Sequence, residues 1–262
     1  MSTFKIIQSK GTWQLEFSKD NIEIDNICEV IIEKEICEFI ERARTVVPSN
    51  QWENRITKRK ENKIYMTITS PFEKIKTLTQ ETLEGKDVKI LGLGSSSTGS
   101  KQEVYYLVVA CPKLQLARSN MGLGWKDFHI TLGFLQNDIH QDIDKGPSSI
   151  IHDQFYLDQD QVIDCVHQHI ALLSESPLLK HQMLLFCTNL LEKAFQPSPN
   201  YYATLAFVNY RLKKFEQAKG SAIAALELDH SHLEALIRYG DSCFKLEEFH
   251  ESLWVLFLIS CL

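Results

Sequence analysis

Up to about residue 150, apolar and polar positions mostly follow strand-like patterns. Beyond about Phe155 the apolar positions recur every three to four residues. "TWQLEF" (12–17) and "KIYMTIT" (63–69) alternate cleanly, while "VKILGLG" (88–94), "VYYLVVACP" (104–112) and "FHITLGF" (128–134) are short β-rich runs. Two helices break this first half. In "IDNICEVIIEKEICEFIERART" (24–45) the apolar spacing is that of an amphipathic helix with Asp25 or Asn26 as N-cap. "SPFEKIKTLTQETLEG" (70–85) starts on a Ser70 cap with Pro71 in the first turn and ends on Gly85. The stretch "GLGSSSTGSKQE" (92–103) is expected to be a flexible connection too rich in Gly and Ser to pack. It lacks GxGxxG and is followed by a strand, so a phosphate loop is disfavoured. The pattern predicts an α+β domain over residues 1–152. An all-α repeat domain is predicted over 153–262.

The helical half repeats itself. A shift of 34 residues carries Ala206 to Gly240, Leu212 to Leu246, Phe215 to Phe249 and Ala218 to Ser252. With its small residues at helix crossings and its "ALELD" ending, this segment (about 200–262) resembles the tetratricopeptide repeat. The earlier pair "VIDCVHQHIALLSES" and "LLKHQMLLFCTNLLEKAF" reads as a divergent hairpin stacked on it, since such hairpins bury their faces only by stacking. The closing "WVLFLISCL" is apolar and has no polar cap, which leaves a protein partner or a longer native chain as its covering.

Composition narrows the classes. A net charge of −6 disfavours broad wrapping of duplex nucleic acid but leaves room for a small basic pocket around one phosphate. The seven cysteines form no CxxC pair and sit mostly in apolar segments, which suggests reduced thiols in a cytoplasmic setting and no zinc. No signal peptide and no run of about eighteen apolar residues is visible, so neither a membrane span nor a cofactor motif is expected.

The candidate chemistry lies in "KDFHITLGF" (126–134). On a strand, Phe128, Ile130 and Leu132 share one face, and His129 and Thr131 share the other. In "KIYMTIT" the same alternation separates Ile64, Met66 and Ile68 from Tyr65, Thr67 and Thr69. A lone strand histidine usually makes one structural hydrogen bond, and threonine favours strands anyway. What raises the interest is the combination of "DFHITLGF" with "DIHQDIDKG" (138–146) downstream and "YYLVVACPKLQLARSNMGLG" upstream. Together these resemble the 2H-like domain of the Swiss Army Knife RNA-repair proteins, over roughly residues 60–150.

The resemblance to the 2H phosphoesterases implies a bilobal antiparallel sheet. It also implies two H-x-T motifs acting by acid/base chemistry on a 2′,3′-cyclic phosphate or related diester, without a metal or other cofactor. His129 would be one catalytic histidine and Thr131 its phosphate-binding partner. Thr67 would be the second hydroxyl, and the second histidine is replaced by Tyr65. A free tyrosine has a pKa of about 10 and is a poor general base at neutral pH, so Tyr65 is better suited to donate a proton. His140, Lys145 and Arg118 are the further substrate-binding candidates, with His140 able to stand in for the missing histidine. Lys145–Gly146 also reads as a plain turn, and "KRKENK" (58–63) as a charged loop that can steer an anion.

Two functions follow. One is processing or binding of RNA or nucleotide phosphate ends. The other is a non-catalytic adaptor whose repeats bind a protein. An open polar groove at His129 and Tyr65 favours the first; a groove filled by Trp125 or the 95–101 loop favours the second.

Overall fold

The computed structural model describes residues 4–9, 12–17, 27–59, 64–69, 73, 88–98, 102–139, 143–173 and 176–261, with backbone alone for 4–9, 12–17, 27–35 and 261. His140, the expected helix over 70–85 (apart from Glu73) and the N-cap at Asp25 or Asn26 lie outside the described residues. The chain divides into two compact units. One is Met1–Leu157 with Ser176–Leu179, and the other is Asp158–Glu175 with Lys180–Leu262. The division at 157 lies beyond the expected 152, because Ile150–Phe155 pairs into the sheet as a last strand.

The first unit contains β1 (Phe4–Ser9), β2 (Thr12–Phe17), α1 (Ile27–Arg44), α2 (Ser49–Arg59), β3 (Ile64–Thr67), β4 (Lys89–Ser97), β5 (Glu103–Ala110), α3 (Pro112–Asn120), β6 (Phe128–Phe134) and β7 (Ile150–Phe155). The seven strands form one antiparallel sheet in the order β1-β2-β3-β6-β5-β4-β7. The lobes expected from the resemblance are thus edge-joined blocks of a single sheet. The block β1–β3 meets the block β6-β5-β4-β7 through one ladder pair among the described residues, Met66 opposite Ile130.

One face of this sheet makes the core. Met66, Ile68, Leu93, Leu107, Val109, Phe128, Ile130 and Leu132 are buried there with Ile36, Ile40, Ala43 and Val47. The latter four recur every three to four residues, so they form one stripe of α1 and the turn that follows it. Burying such aliphatic side chains contributes roughly 1.5–3 kcal/mol each.

The β-rich run at 88–94 is strand, and it continues through 95–97, which the Gly/Ser-rich composition suggested as connection. Gly92 and Gly94 are buried in β4, and their lack of a Cβ is what lets neighbours approach: a Cβ on Gly92 would lie 2.4 Å from the Gln154 carbonyl oxygen, and one on Gly94 2.6 Å from the Tyr106 ring. β1, α2, α3 and β7 carry weaker sequence signals and were not anticipated.

The second unit is helical throughout its described residues: α4 (Gln159–Leu173), α5 (Lys180–Lys193), α6 (Pro199–Arg211), α7 (Phe215–Leu228), α8 (Leu233–Lys245) and α9 (Phe249–Cys261). The 34-residue shift holds at the level of backbone and rings. Helix α6 maps onto α8 and the start of α7 onto the start of α9. The ring pair Tyr210–Phe215 at 5.5 Å maps onto Phe244–Phe249 at 5.7 Å. Each first helix closes on the same turn. Lys213 and Glu247 take positive φ (63° and 64°), while Lys214 N–H and Glu248 N–H donate to the Asn209 and Cys243 carbonyls.

Small residues sit where these helices touch. Ala206 and Ala218 are fully buried, and a Cβ on Gly240 would meet Val255 at 3.2 Å. Among the described side chains Cys111, Cys165, Cys187 and Cys243 are buried and Cys37 is half-buried, all outside disulfides. No helix among the described residues is long and apolar enough to cross a membrane.

Candidate functional site

The face of the sheet opposite the α1 stripe carries the polar side chains. Because Met66 faces Ile130 across the antiparallel β3–β6 pair, one further step along each strand sets Tyr65 opposite Thr131 and Thr67 opposite His129. All four share one face. On the other side of β6, Thr131 is opposite Tyr106 and His129 opposite Val108. The expected pairing of the two motifs is therefore side by side on neighbouring strands.

His129 has a defined tautomer. Its Nδ1 lies 2.8 Å from the Asp127 carbonyl oxygen, which can only accept, so Nδ1 carries the hydrogen and Nε2 is left as an acceptor. Lys145 Nζ donates to that Nε2 at 3.1 Å. Burial, followed by the Lys145 ammonium, holds the imidazole well below its usual range, so His129 is neutral at ordinary pH. The Tyr106 ring packs edge-on against it at 5.6 Å.

Lys145 is only 4% exposed, far from the solvated turn residue its sequence context suggests. Burial also lowers its own pKa, opposed by the Asp138 carboxylate at 3.3 Å. Local chemistry fixes its place. The Asp144 carboxylate accepts from the Gly146 N–H at 2.7 Å and from the Ser148 hydroxyl, and the Asp144 carbonyl accepts from Tyr106 and Ser96. A Cβ on Gly146 would lie 3.1 Å from the Asp144 carboxylate and 3.2 Å from that of Asp127, so a larger residue after Lys145 requires both to shift.

Two residues absent from the sequence-level list complete the cluster. Asp138, its side chain 8% exposed, accepts from Thr131 Oγ1 at 3.0 Å, from Arg59 at 2.5 Å and from Lys145. Arg59 also stacks its guanidinium over the Tyr65 ring at 4.9 Å. It projects from the last turn of α2, one turn beyond the fully buried Arg55, whose pKa is pushed down to about 10 by burial and then by Arg59. Of the segment 58–63, Lys58 and Arg59 close α2 and Arg59 supplies this site cation, while 60–63 lie outside the described residues. The sequence signal available was the i, i+4 spacing of Arg55 and Arg59 just before the Tyr65 strand.

Arg118 sits elsewhere. Its guanidinium donates to the Ile68 carbonyl, to both oxygens of Glu73 and, through Nε and a terminal nitrogen, to the Gly124 carbonyl. With 2% exposure, it turns its donors to these protein groups and not to the His129 cluster. Trp125 donates to the Asp127 carboxylate, and Asp138 is the carboxylate between Arg59 and Lys145.

The family model for the Swiss Army Knife 2H phosphoesterase domain matches residues 35–140. That span includes Arg59, Tyr65, Thr67, His129, Thr131 and Asp138, and it ends before Lys145. No curated protein and no solved structure matches the chain significantly.

Proposed function

We propose that this face of the sheet processes phosphodiesters at RNA or nucleotide ends, opening a 2′,3′-cyclic phosphate without a metal. The observation that carries the reading is the placement of His129 and Thr131 beside Thr67 and Tyr65 on one face, inside a segment matched by a 2H phosphoesterase family. A neutral imidazole whose Nδ1–H is anchored to a carbonyl has Nε2 as its basic nitrogen, free to act as a general base once Lys145 turns to a phosphate oxygen. In this reading Nε2 takes a proton from water as the water oxygen bonds to phosphorus. The phosphorus–ester oxygen bond breaks, and the departing oxygen receives a proton from the Tyr65 hydroxyl. Thr67 and Thr131 hydroxyls and the Arg59 and Lys145 cations hold the non-bridging oxygens as charge builds on them.

The test is hydrolysis of 2′,3′-cyclic nucleotides and a cyclic-phosphate-ended RNA oligomer in EDTA. Turnover should fall by at least about 10²-fold in His129→Ala, with a smaller loss in Tyr65→Phe. No turnover by the natural sequence sinks the enzymatic reading.

A second reading has its own observation. Leu253, Trp254, Leu256 and Phe257 on α9 are each more than half exposed, as suits a protein-binding role for repeats of the tetratricopeptide kind.

A further inference from the structure

The donors around Asp138 form a set that an isolated carboxylate rarely commands. Thr131 Oγ1 and Arg59 converge on Oδ2, and Lys145 Nζ approaches Oδ1 at 3.3 Å. Lys145 and Thr131 are 4% and 5% exposed, so these interactions are made largely out of water, where charge-assisted hydrogen bonds are strong. Thr131 is the very hydroxyl that the 2H reading turns towards phosphate, yet its proton points at a side chain of the same chain.

A carboxylate and a phosphodiester resemble each other here. Each spreads one negative charge over two equivalent oxygens and accepts from both. Meanwhile Lys145 donates to His129 Nε2, so the only lone pair of the proposed base is occupied by the cation that Asp138 helps to position.

We infer that Asp138 is a built-in stand-in for the substrate phosphate, holding Thr131, Arg59 and Lys145 in a self-inhibited arrangement that an incoming phosphodiester must displace. This rests on the reading of the site as a phosphate site and adds its regulation. Rotation of the Asp138 side chain is enough to free the three donors. A phosphate oxygen then takes the Lys145 ammonium, and Nε2 becomes available to water. The apparent affinity for a phosphate is lowered by the fraction of molecules in which Asp138 holds the donors.

The sign of the effect separates this role from a positioning one. If Asp138 merely orients Lys145 and Thr131, removing its charge disorders the pocket and weakens anion binding. If it competes with phosphate, removing its charge strengthens binding. The experiment is calorimetric titration of the full chain with inorganic phosphate and with 2′,3′-cyclic AMP, for the natural sequence, Asp138→Asn and Asp138→Ser. Binding tighter by roughly tenfold or more in both variants is expected. Equal or weaker binding in the variants, or no binding of either anion by any of the three proteins, overturns the proposal.

Should the variants fail to fold, the natural protein answers by itself. The Asp138 carboxyl carbon, followed by NMR during a phosphate titration, must shift in step with binding, and a resonance unmoved at saturation overturns the proposal. Anion binding and turnover are independent readouts. Tighter binding without hydrolysis keeps Asp138 as a competitor and discards the enzyme, whereas hydrolysis with weaker binding in the variants does the reverse.

Discussion

His129 shows how one half-buried imidazole links stability to chemistry. The groups facing it are Lys145 and Asp138 across the cluster, Asp127 through its carbonyl, Lys126 before it and the Tyr106 ring on β5. Its folded pKa is depressed, chiefly by burial, so the unfolded chain binds the extra proton first as pH falls. The neutral ring therefore supports the fold fully above the ordinary histidine value of about 6.5. That support is lost progressively as pH falls from there towards the folded value, with a slope of at most about 1.4 kcal/mol per pH unit for one proton. Urea denaturation between pH 8 and pH 5 should show this slope, and His129→Gln should flatten it. For the same reason the acid limb of kcat/KM should lie below pH 6.5, whereas an unperturbed histidine would place it there.

At this scale the sequence was informative about alternation and poor about partners. Facing of His129 and Thr131 away from the core follows from a period of two. That Lys145 reaches back sixteen positions to Nε2 depends on how Asp144, Gly146 and Ser148 fold the turn. That Arg118 belongs to Glu73 depends on an approach between loops that no local pattern encodes.

Among the elements, the 34-residue shift was the most legible feature. It extends to detail that composition conceals, because neither Lys213 nor Glu247 is the glycine that a positive φ prefers. Each sits at the left-handed position after a helix, where an L side chain costs roughly 1–2 kcal/mol relative to right-handed backbone. Glycine there removes that strain and returns part of it as unfolded-state entropy. Lys213→Gly and Glu247→Gly should each stabilise the protein by about 0.5–1 kcal/mol, measured by thermal melting, and with the same sign. Opposite signs would mean that the two turns are not equivalent.

Within β4 the run up to Gly94 was legible as strand, and its Ser95–Ser97 end was not. Glycine and serine runs ordinarily mark loops, but in β4 the missing side chains let the Gln154 carbonyl and the Tyr106 ring come close. The strand's identity is set by its neighbours β5 and β7, and a window of residues contains no record of them.

At the scale of the whole molecule, the two units divide the proposed roles. The candidate chemistry belongs to the sheet unit, and the exposed apolar surface to the helical one. Trp254 and Phe257 are 57% and 64% exposed, so Trp254→Ser with Phe257→Ser should leave the melting temperature and any cyclic-phosphate hydrolysis nearly unchanged, within about 0.5 kcal/mol in stability. The double variant should also scatter less light at high concentration. A large loss of stability would show that these rings are packed in solution.

The sheet itself holds one more consequence. Among the described residues its two blocks meet at a single ladder pair, Met66 with Ile130, and the two halves of the polar cluster stand on either side of that joint. Few ladder hydrogen bonds among the described residues join Tyr65–Thr67 to His129–Thr131, so the fully buried Met66 and Ile130 side chains carry much of the contact between the two strands. Amide exchange should therefore be faster along β3 than in the interior of β5.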